Sequence, residues 1–187
     1  WRITGIGRRP LSPEQEETVA YWQQGQVNVD SISSLIKQGG EPDILIHAAG
    51  NGKVGSSWDA PLDDYSKNVT TTAHILEALR LNSPDTVFVL PSSAAVYGDA
   101  QTSPFVEELI TAPISPYGHH KKIAENLCST ASELYGLKTV IVRFFSLYGP
   151  GLQKQLLWDI YCKLQQQRDT LKLSGAGSNT RDFLYVD

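Results

Sequence analysis

Methionine is absent from the 187 residues, and cysteine is scarce, with two thiols at Cys128 and Cys162. Two thiols cannot build a disulfide framework or a four-thiolate zinc site, and there is no C-x-x-C pair. Histidine is sparse, and His47 has no second ligand at metal spacing, so no metal is expected. Basic runs are missing as well: 16 Lys and Arg stand against 20 Asp and Glu, a net charge of −4, which excludes the electrostatic footprint of a nucleic-acid binder. No apolar stretch approaches the ~20 residues of a membrane-spanning helix, and no signal peptide is visible. What is present, 41% hydrophobic residues, is enough for a core. The expectation is a soluble, cytoplasmic, globular chain of about one domain that engages neither membrane nor nucleic acid.

Both ends look abrupt. Trp1-Arg-Ile-Thr-Gly5 carries no initiator Met, polar leader or capping residue, and Arg181–Asp187 stops on a strand-like run without a closing turn. The chain therefore reads as a segment of a longer protein.

Short apolar runs alternate with helix-period segments. Strands are expected at Ile3–Ile6, Val27–Val29 (weak), Asp43–Ala48, Thr86–Leu90, Lys138–Phe145 and Leu171–Leu173. Helices are expected from Ser12-Pro13-Glu14, over Ser31–Lys37, Asp63–Arg80, Pro116–Leu134 (stopped by Gly136) and Leu152–Gln167. This alternation means βαβ units and a mostly parallel sheet, an α/β fold with ligands at the carboxyl ends of the strands.

Two of those places carry chemistry. Pro91-Ser92-Ser93-Ala94-Ala95-Val96-Tyr97-Gly98 follows a strand, and Tyr117-Gly-His-His-Lys121 opens a helix. Tyr117 and Lys121 stand at i and i+4, on one helix face. A tyrosine with its ordinary pKa near 10 is a poor base at neutral pH. A lysine ammonium nearby and the first turn of a helix both favour the phenolate. The Ser93 hydroxyl can share the proton or bind the oxygen being oxidised, which completes a device for interconverting alcohol and ketone.

With these residues the chain resembles the extended short-chain dehydrogenase/reductases, within the NAD-dependent epimerase/dehydratase group that acts on nucleotide sugars. The resemblance runs the whole length. It rests on His47-Ala-Ala-Gly50, Asn68-Val69, Ser93-Ala-Ala-Val-Tyr-Gly98, Ser115-Pro-Tyr117 with Lys121, Arg143-Phe-Phe-Ser-Leu-Tyr-Gly-Pro-Gly151 and Arg181-Asp-Phe183. It implies a Rossmann-type doubly wound parallel sheet. In its terms Tyr117 is the catalytic base, Lys121 holds the nicotinamide ribose and lowers the Tyr117 pKa, and Ser93 binds the reacting sugar oxygen. Ala48, Ala49 and Gly50 line the cofactor, Phe145 sits near the nicotinamide, and Ser146 and Arg181 contact the substrate diphosphate, with Ser146 in place of the more usual Asn.

The family begins with a strand and a G-x-x-G-x-x-G turn that holds the pyrophosphate. No such motif occurs here, so the chain is expected to lack the first β-α unit and most of the C-terminal substrate-binding part. Residues 1–175 would be a partial NAD(P)-binding domain and 176–187 the start of the substrate-binding region, inactive when isolated. In NAD-preferring members the second strand ends in an acidic residue. Here that place reads Gly7-Arg8-Arg9, which suits a 2′-phosphate and favours NADP over NAD. Asp30 is a further candidate beside the adenine.

Dehydratases of the family place Asp-Glu after the active-site hydroxyl residue; this chain has Ala94-Ala95, which disfavours dehydration. A 4-epimerase or a nucleotide-ketosugar reductase remains, and a non-catalytic dinucleotide-binding regulatory protein is the alternative from another class. By analogy, a homodimer would form through helices 63–80 and 116–134. His119 and His120 are expected on the helix surface, His47 as a hydrogen-bonded strand-end residue, and Asn68 as a backbone tie.

Overall fold

Helix α2 (Val29–Gly39) shows how local chemistry sets the elements. Asn28 caps it: its side chain accepts the Ser31 N–H at 2.8 Å, and Ser31 Oγ accepts the Asn28 N–H at 3.0 Å. Ile32, Leu35, Ile36 and Gly39 then fall on one buried face. The same cap draws Val29 into the helix, so the strand expected at Val27–Val29 does not form. The strand lies earlier, at β2 (Val19–Gln24), after β1 (Ile3–Gly7) and the single turn α1 (Pro13–Glu16). β1 and β2 pair in parallel. Trp22 of β2 lies over two glycines of β1: a Cβ at Gly5 or Gly7 would come within 2.7 or 2.6 Å of its ring.

The computed structural model describes residues 1–52, 54–99, 104–166, 171 and 180–186. The chain divides into two compact units, Trp1–Arg143 and Phe144–Asp187. The expected strand at Leu171–Leu173 falls, apart from Leu171, outside the described residues, as does the expected division at 175/176.

In the first unit β3 (Ile44–Ile46) pairs in parallel with β4 (Val87–Ser93), and β5 (Lys138–Phe144) lies on the other side of β4. Between β3 and β4 run α3 (Val54–Asp59), α4 (Pro61–Tyr65), a π turn (Ser66–Thr70) and α5 (Thr71–Asn82). The π turn is supported by side chains that bond backward: Thr71 Oγ1 donates to Lys67 O and Thr72 Oγ1 to Asn68 O, both at 2.6 Å. Helix α6 (Pro116–Tyr135) follows β4. Ser115 Oγ accepts the Gly118 N–H at 3.1 Å at its start, and Gly136 stops it in the left-handed region at φ 71°.

The core joins α2 (Ile32, Ile36), α5 (Ile75, Leu79), β4 (Phe88, Leu90) and α6 (Ala124, Cys128). Burial pushes the Cys128 thiol up to about 12, so it packs as an inert apolar group. The fold is of Rossmann type. In the 3-2-1-4-5-6 order the second and fourth strands, to which β1 and β3 correspond, flank the central first strand. Among the described residues they belong to two sheets that share no ladder, and Ile46 of β3 is 63% exposed, in keeping with the absence of a glycine-rich turn from this sequence.

The second unit has β6 (Ser146–Tyr148) parallel to β7 (Phe183–Tyr185), with α7 (Gln155–Gln166) between them in sequence. Among the described residues no helix is long and apolar enough to cross a membrane.

Candidate active site

Strand β4 delivers Ser93 to its carboxyl end, where a short 3-10 turn (Ala94–Val96) begins; Ser93 Oγ accepts the Ala95 N–H at 3.2 Å. The first turn of α6 faces this point. Its Tyr117 backbone N–H donates to Ser57 Oγ of α3 at 3.1 Å, which fixes where the helix starts. Gly118 allows the close approach: a Cβ there would lie 2.6 Å from the Ala95 carbonyl oxygen and 2.9 Å from Pro113 Cβ. Tyr117, Lys121, Ala124, Cys128 and Ala131 repeat along the buried face of α6, so the expected pair points inward together. Lys121 Nζ donates to Pro91 O at 2.9 Å and stands 5.9 Å from the centre of the Tyr117 ring. The structure thus brings Ser93, Tyr117 and Lys121 into one place.

The electrostatics differ from the expectation in one respect. Burial raises the Tyr117 pKa above 10; the hydrogen bond to Ser93 pulls it down, and the Asp64 charge pushes it further up. Burial lowers the Lys121 pKa, while the charges of Asp64 and Glu125 support the ammonium. The anticipated lowering of the Tyr117 pKa by Lys121 is not found in this arrangement. Desolvation dominates, and the ammonium is turned to the Pro91 carbonyl.

An ion pair between buried Glu125 and partly buried Arg143 braces the site. Arg143 of β5 donates Nε to Glu125 Oε1 at 3.0 Å and Nη2 to Oε2 at 2.9 Å, and its Nη1 reaches the Tyr97 hydroxyl at 2.9 Å. Glu125 Oε1 also accepts from Ser92 Oγ at 2.5 Å, one residue before Ser93. Glu125 carried a signal in the sequence that went unused. It is four residues beyond Lys121, so it shares that apolar face.

At the end of β3, Ala48, Ala49 and Gly50 are exposed backbone. Gly50 has φ 143°, and a Cβ there would lie 3.1 Å from Asn68 Oδ1. Among the described residues that oxygen is buried without a hydrogen-bond partner, although Asn68 Nδ2 ties the backbone as expected, to Asp64 O at 3.1 Å. His47 is only half satisfied, against expectation. Thr71 Oγ1 spends its proton on Lys67 O, so it accepts from His47 Nε2 at 3.1 Å, and buried Nδ1 is left as a bare acceptor. Burial, with the Lys121 charge, holds the His47 pKa down to about 4.

Arg8 and Arg9 follow β1 with exposed side chains and anchored backbone. Gln24 Nε2 donates to Arg8 O and Trp22 Nε1 to Arg9 O, both at 3.1 Å. Asp30 is exposed in the first turn of α2, where a carboxylate suits the helix dipole; it does not follow a strand directly. In the second unit, Ser146 and Arg181 line one cavity of about 180 Å³ with Tyr148, Trp158 and Phe183. Phe145 precedes β6 and is 37% exposed.

His120 corrects a second expectation. Its ring is not a solvated surface group: Nδ1 donates to Asp64 Oδ2 at 2.6 Å, and the side chain is 13% exposed. His119 is exposed, as expected. Among the described residues no three His, Cys, Asp or Glu side chains are grouped to hold a metal ion.

Comparison with known proteins places this geometry. A Bacillus subtilis (strain 168) protein named as an uncharacterized UDP-glucose epimerase is 34% identical over 145 residues, 77% of this chain and 45% of the relative. The UDP-glucuronate 4-epimerase of Thermodesulfobacterium geofontis (strain OPF15) is 29% identical over 188 residues, all of this chain and 55% of that protein. The crystal structure of UDP-glucuronic acid 4-epimerase from Bacillus cereus, in complex with UDP-glucuronic acid and NAD, superposes with a TM-score of 0.83 at 26% identity, covering 98% of this chain and 61% of that one. The chain spans about half the length of the curated relatives it matches. The family model for the NAD dependent epimerase/dehydratase family matches residues 1–187, and the chain belongs to that family.

Proposed function

We propose that this chain is the catalytic part of an NAD(P)-dependent nucleotide-sugar epimerase, which oxidises a sugar hydroxyl and re-reduces the ketone from the other side. The observation that carries the reading is the meeting of Ser93, Tyr117 and Lys121 where β4 ends and α6 begins. Ala94 and Ala95 beside Ser93 offer no acid or base for eliminating water, which argues against dehydration.

The residues present fit part of a dinucleotide. Exposed Ala48–Gly50 backbone and the two partnerless buried acceptors, Asn68 Oδ1 and His47 Nδ1, fit a ligand with N–H and O–H donors at the end of β3. Lys121 would hold the nicotinamide ribose, with Phe145 near the ring, and Arg8 and Arg9 the adenosine ribose, with Asp30 towards the adenine. The pyrophosphate turn is not in this sequence. When bound, the nicotinamide supplies the hydride acceptor and donor.

Tyr117 Oη takes the proton of the sugar hydroxyl and later returns it, while Ser93 Oγ orients that same oxygen. Burial raises the phenol, and Lys121 Nζ, 5.9 Å from the centre of the Tyr117 ring, is the nearby cation whose charge favours the phenolate. Ser146 and Arg181, on one cavity wall, are the side chains for the nucleotide diphosphate, where a guanidinium bonds two oxygens at once. Residues 1–175 form the cofactor-binding part in this reading and 176 onward the substrate part; a homodimer through helices 63–80 and 116–134 follows by analogy alone.

A second reading, an NADPH-dependent ketosugar reductase, is favoured by Arg8 and Arg9 standing where an NAD enzyme carries a carboxylate. Incubating the full-length protein with UDP-, GDP- and dTDP-sugars and each cofactor separates the two. An epimer that accumulates at constant 340 nm absorbance supports the epimerase. Stoichiometric loss of NADPH with a ketosugar supports the reductase. Binding without turnover of any nucleotide sugar contradicts both.

A further inference from the structure

Asp64 is fully buried, yet nothing in the chemistry above uses it. Its Oδ1 accepts from Asn51 Nδ2 at 2.9 Å, in the loop after β3, and from Asn68 Nδ2 at 3.2 Å, in the π turn. Its Oδ2 accepts from His120 Nδ1 at 2.6 Å, on α6. A carboxylate out of water is tolerated only when paired and hydrogen-bonded, and each bond here ties down a segment that also carries site residues. Asn51 follows Ala48–Gly50 directly. His120 sits between Tyr117 and Lys121, on the turn that carries both. Tyr65 and the imidazole meet edge to face, ring centres 5.4 Å apart.

We propose that Asp64 and His120 form a positioning dyad for Tyr117 and Lys121, locking their helical turn against α4 and setting the charge that both side chains feel. The inference rests on the reading of Tyr117 and Lys121 as the reacting pair. The Asp64 carboxylate, which the imidazole N–H meets at 2.6 Å, supplies that charge. A carboxylate in a poorly solvated site disfavours a phenolate and favours an ammonium, the two directions in which the Asp64 charge acts on Tyr117 and Lys121. Removing the Asp64 charge therefore eases proton loss from both.

Other charges do not mask this effect. From α4 the dyad meets Tyr65. From the loop after β3 and the π turn it meets the amides of Asn51 and Asn68, while Lys67 is paired with Asp63 at 2.5 Å. Along α6 it meets Tyr117, Lys121 and then Glu125, which Arg143 already holds. His47, at the end of β3, is held down to about 4 by burial and by the Lys121 charge, so it adds no charge of its own near neutral pH.

The test reads titrations rather than turnover. In full-length protein labelled with carbon-13 at tyrosine Cζ and lysine Cε, Tyr117→Phe and Lys121→Arg assign the two resonances. Asp64→Asn keeps the shape and removes the charge. It should move both midpoints to lower pH, by about one pH unit. Unmoved midpoints in a folded Asp64→Asn protein overturn the proposal, because a purely structural tie would leave them in place. Should that variant not fold, His120→Ala carries the test: it takes the N–H partner from the Asp64 carboxylate, leaves that charge less compensated, and should move both midpoints to higher pH. Unmoved midpoints in a folded His120→Ala protein overturn the proposal. Neither readout needs substrate, so a failure here is distinct from Tyr117→Phe retaining turnover, which would remove the functional reading itself.

Discussion

Arg143 on β5 grips both carboxylate oxygens of Glu125 on α6, at 3.0 and 2.9 Å, across 18 positions of sequence. Glu125 is 5% exposed and also receives the Ser92 hydroxyl, so the pair fixes the end of β4 against the helix that bears Tyr117. Removing one partner leaves a buried charge uncompensated, which is worse than never having had the pair. Arg143→Met should therefore lower unfolding free energy by about 3 kcal/mol in urea titration. A loss below about 1 kcal/mol, the range of an exposed pair, would show that the brace is not needed.

Gly118→Ala tests the approach of α6 to the turn after Ser93. The added methyl would meet the Ala95 carbonyl at 2.6 Å, backbone that cannot rotate away. The turn must shift, carrying Ser93 away from Tyr117. We expect a loss of about 1–3 kcal/mol in stability together with a fall in kcat. Unchanged kcat and urea midpoint would contradict this account of the close approach.

His47 makes stability depend on pH. Its folded-state pKa of about 4 lies below the ordinary 6.5, so the unfolded chain binds the proton more readily. Its contribution is therefore intact above pH 6.5 and fades as pH falls towards 4, by at most on the order of 3 kcal/mol. Between pH 7 and 4.5 the urea midpoint should fall less in His47→Gln than in the parent. Parallel curves would mean that His47 does not titrate as a buried neutral ring.

The two arginines after β1 test the cofactor preference. Their backbone is anchored by Trp22 and Gln24, so the side chains leave from a fixed point. Replacing Arg8 and Arg9 by Ala in the full-length protein should weaken NADP binding by about tenfold or more, the loss of one charge-assisted contact to phosphate, and leave NAD binding nearly unchanged. Equal affinity of the parent for both cofactors, by calorimetry, would remove the NADP preference.

Helix α6 was legible in the sequence almost to the residue, because Ser115-Pro116 and Gly136 bracket a long periodic run. Ser93, Tyr117 and Lys121 could be placed for the same reason: each follows a boundary that local chemistry dictates. Strand β2 was not legible. Its apolar Val19, Tyr21 and Trp22 are diluted by glutamines, and its partner β1 offers glycines whose role appears only once Trp22 lies over them. Val27–Val29 looked more strand-like until the Asn28–Ser31 cap pulled Val29 into α2. His120 looked like a helix surface group because its pairing with Asp64 joins residues 56 positions apart, which no local pattern encodes. The raised Tyr117 pKa has the same origin. Spacing shows the lysine four residues away but not the burial that outweighs it.

The central claim is that Tyr117 moves the hydroxyl proton of a nucleotide sugar as the carbon bearing that hydroxyl is oxidised and re-reduced. Tyr117→Phe removes one oxygen from a buried ring and leaves its packing intact. In the full-length protein, assayed with UDP-, GDP- and dTDP-sugars, the variant should bind cofactor and nucleotide sugar as the parent does while losing turnover by at least about a hundredfold, the low end of what a positioned acid–base group contributes. Turnover in Tyr117→Phe equal to that of the parent would contradict the account.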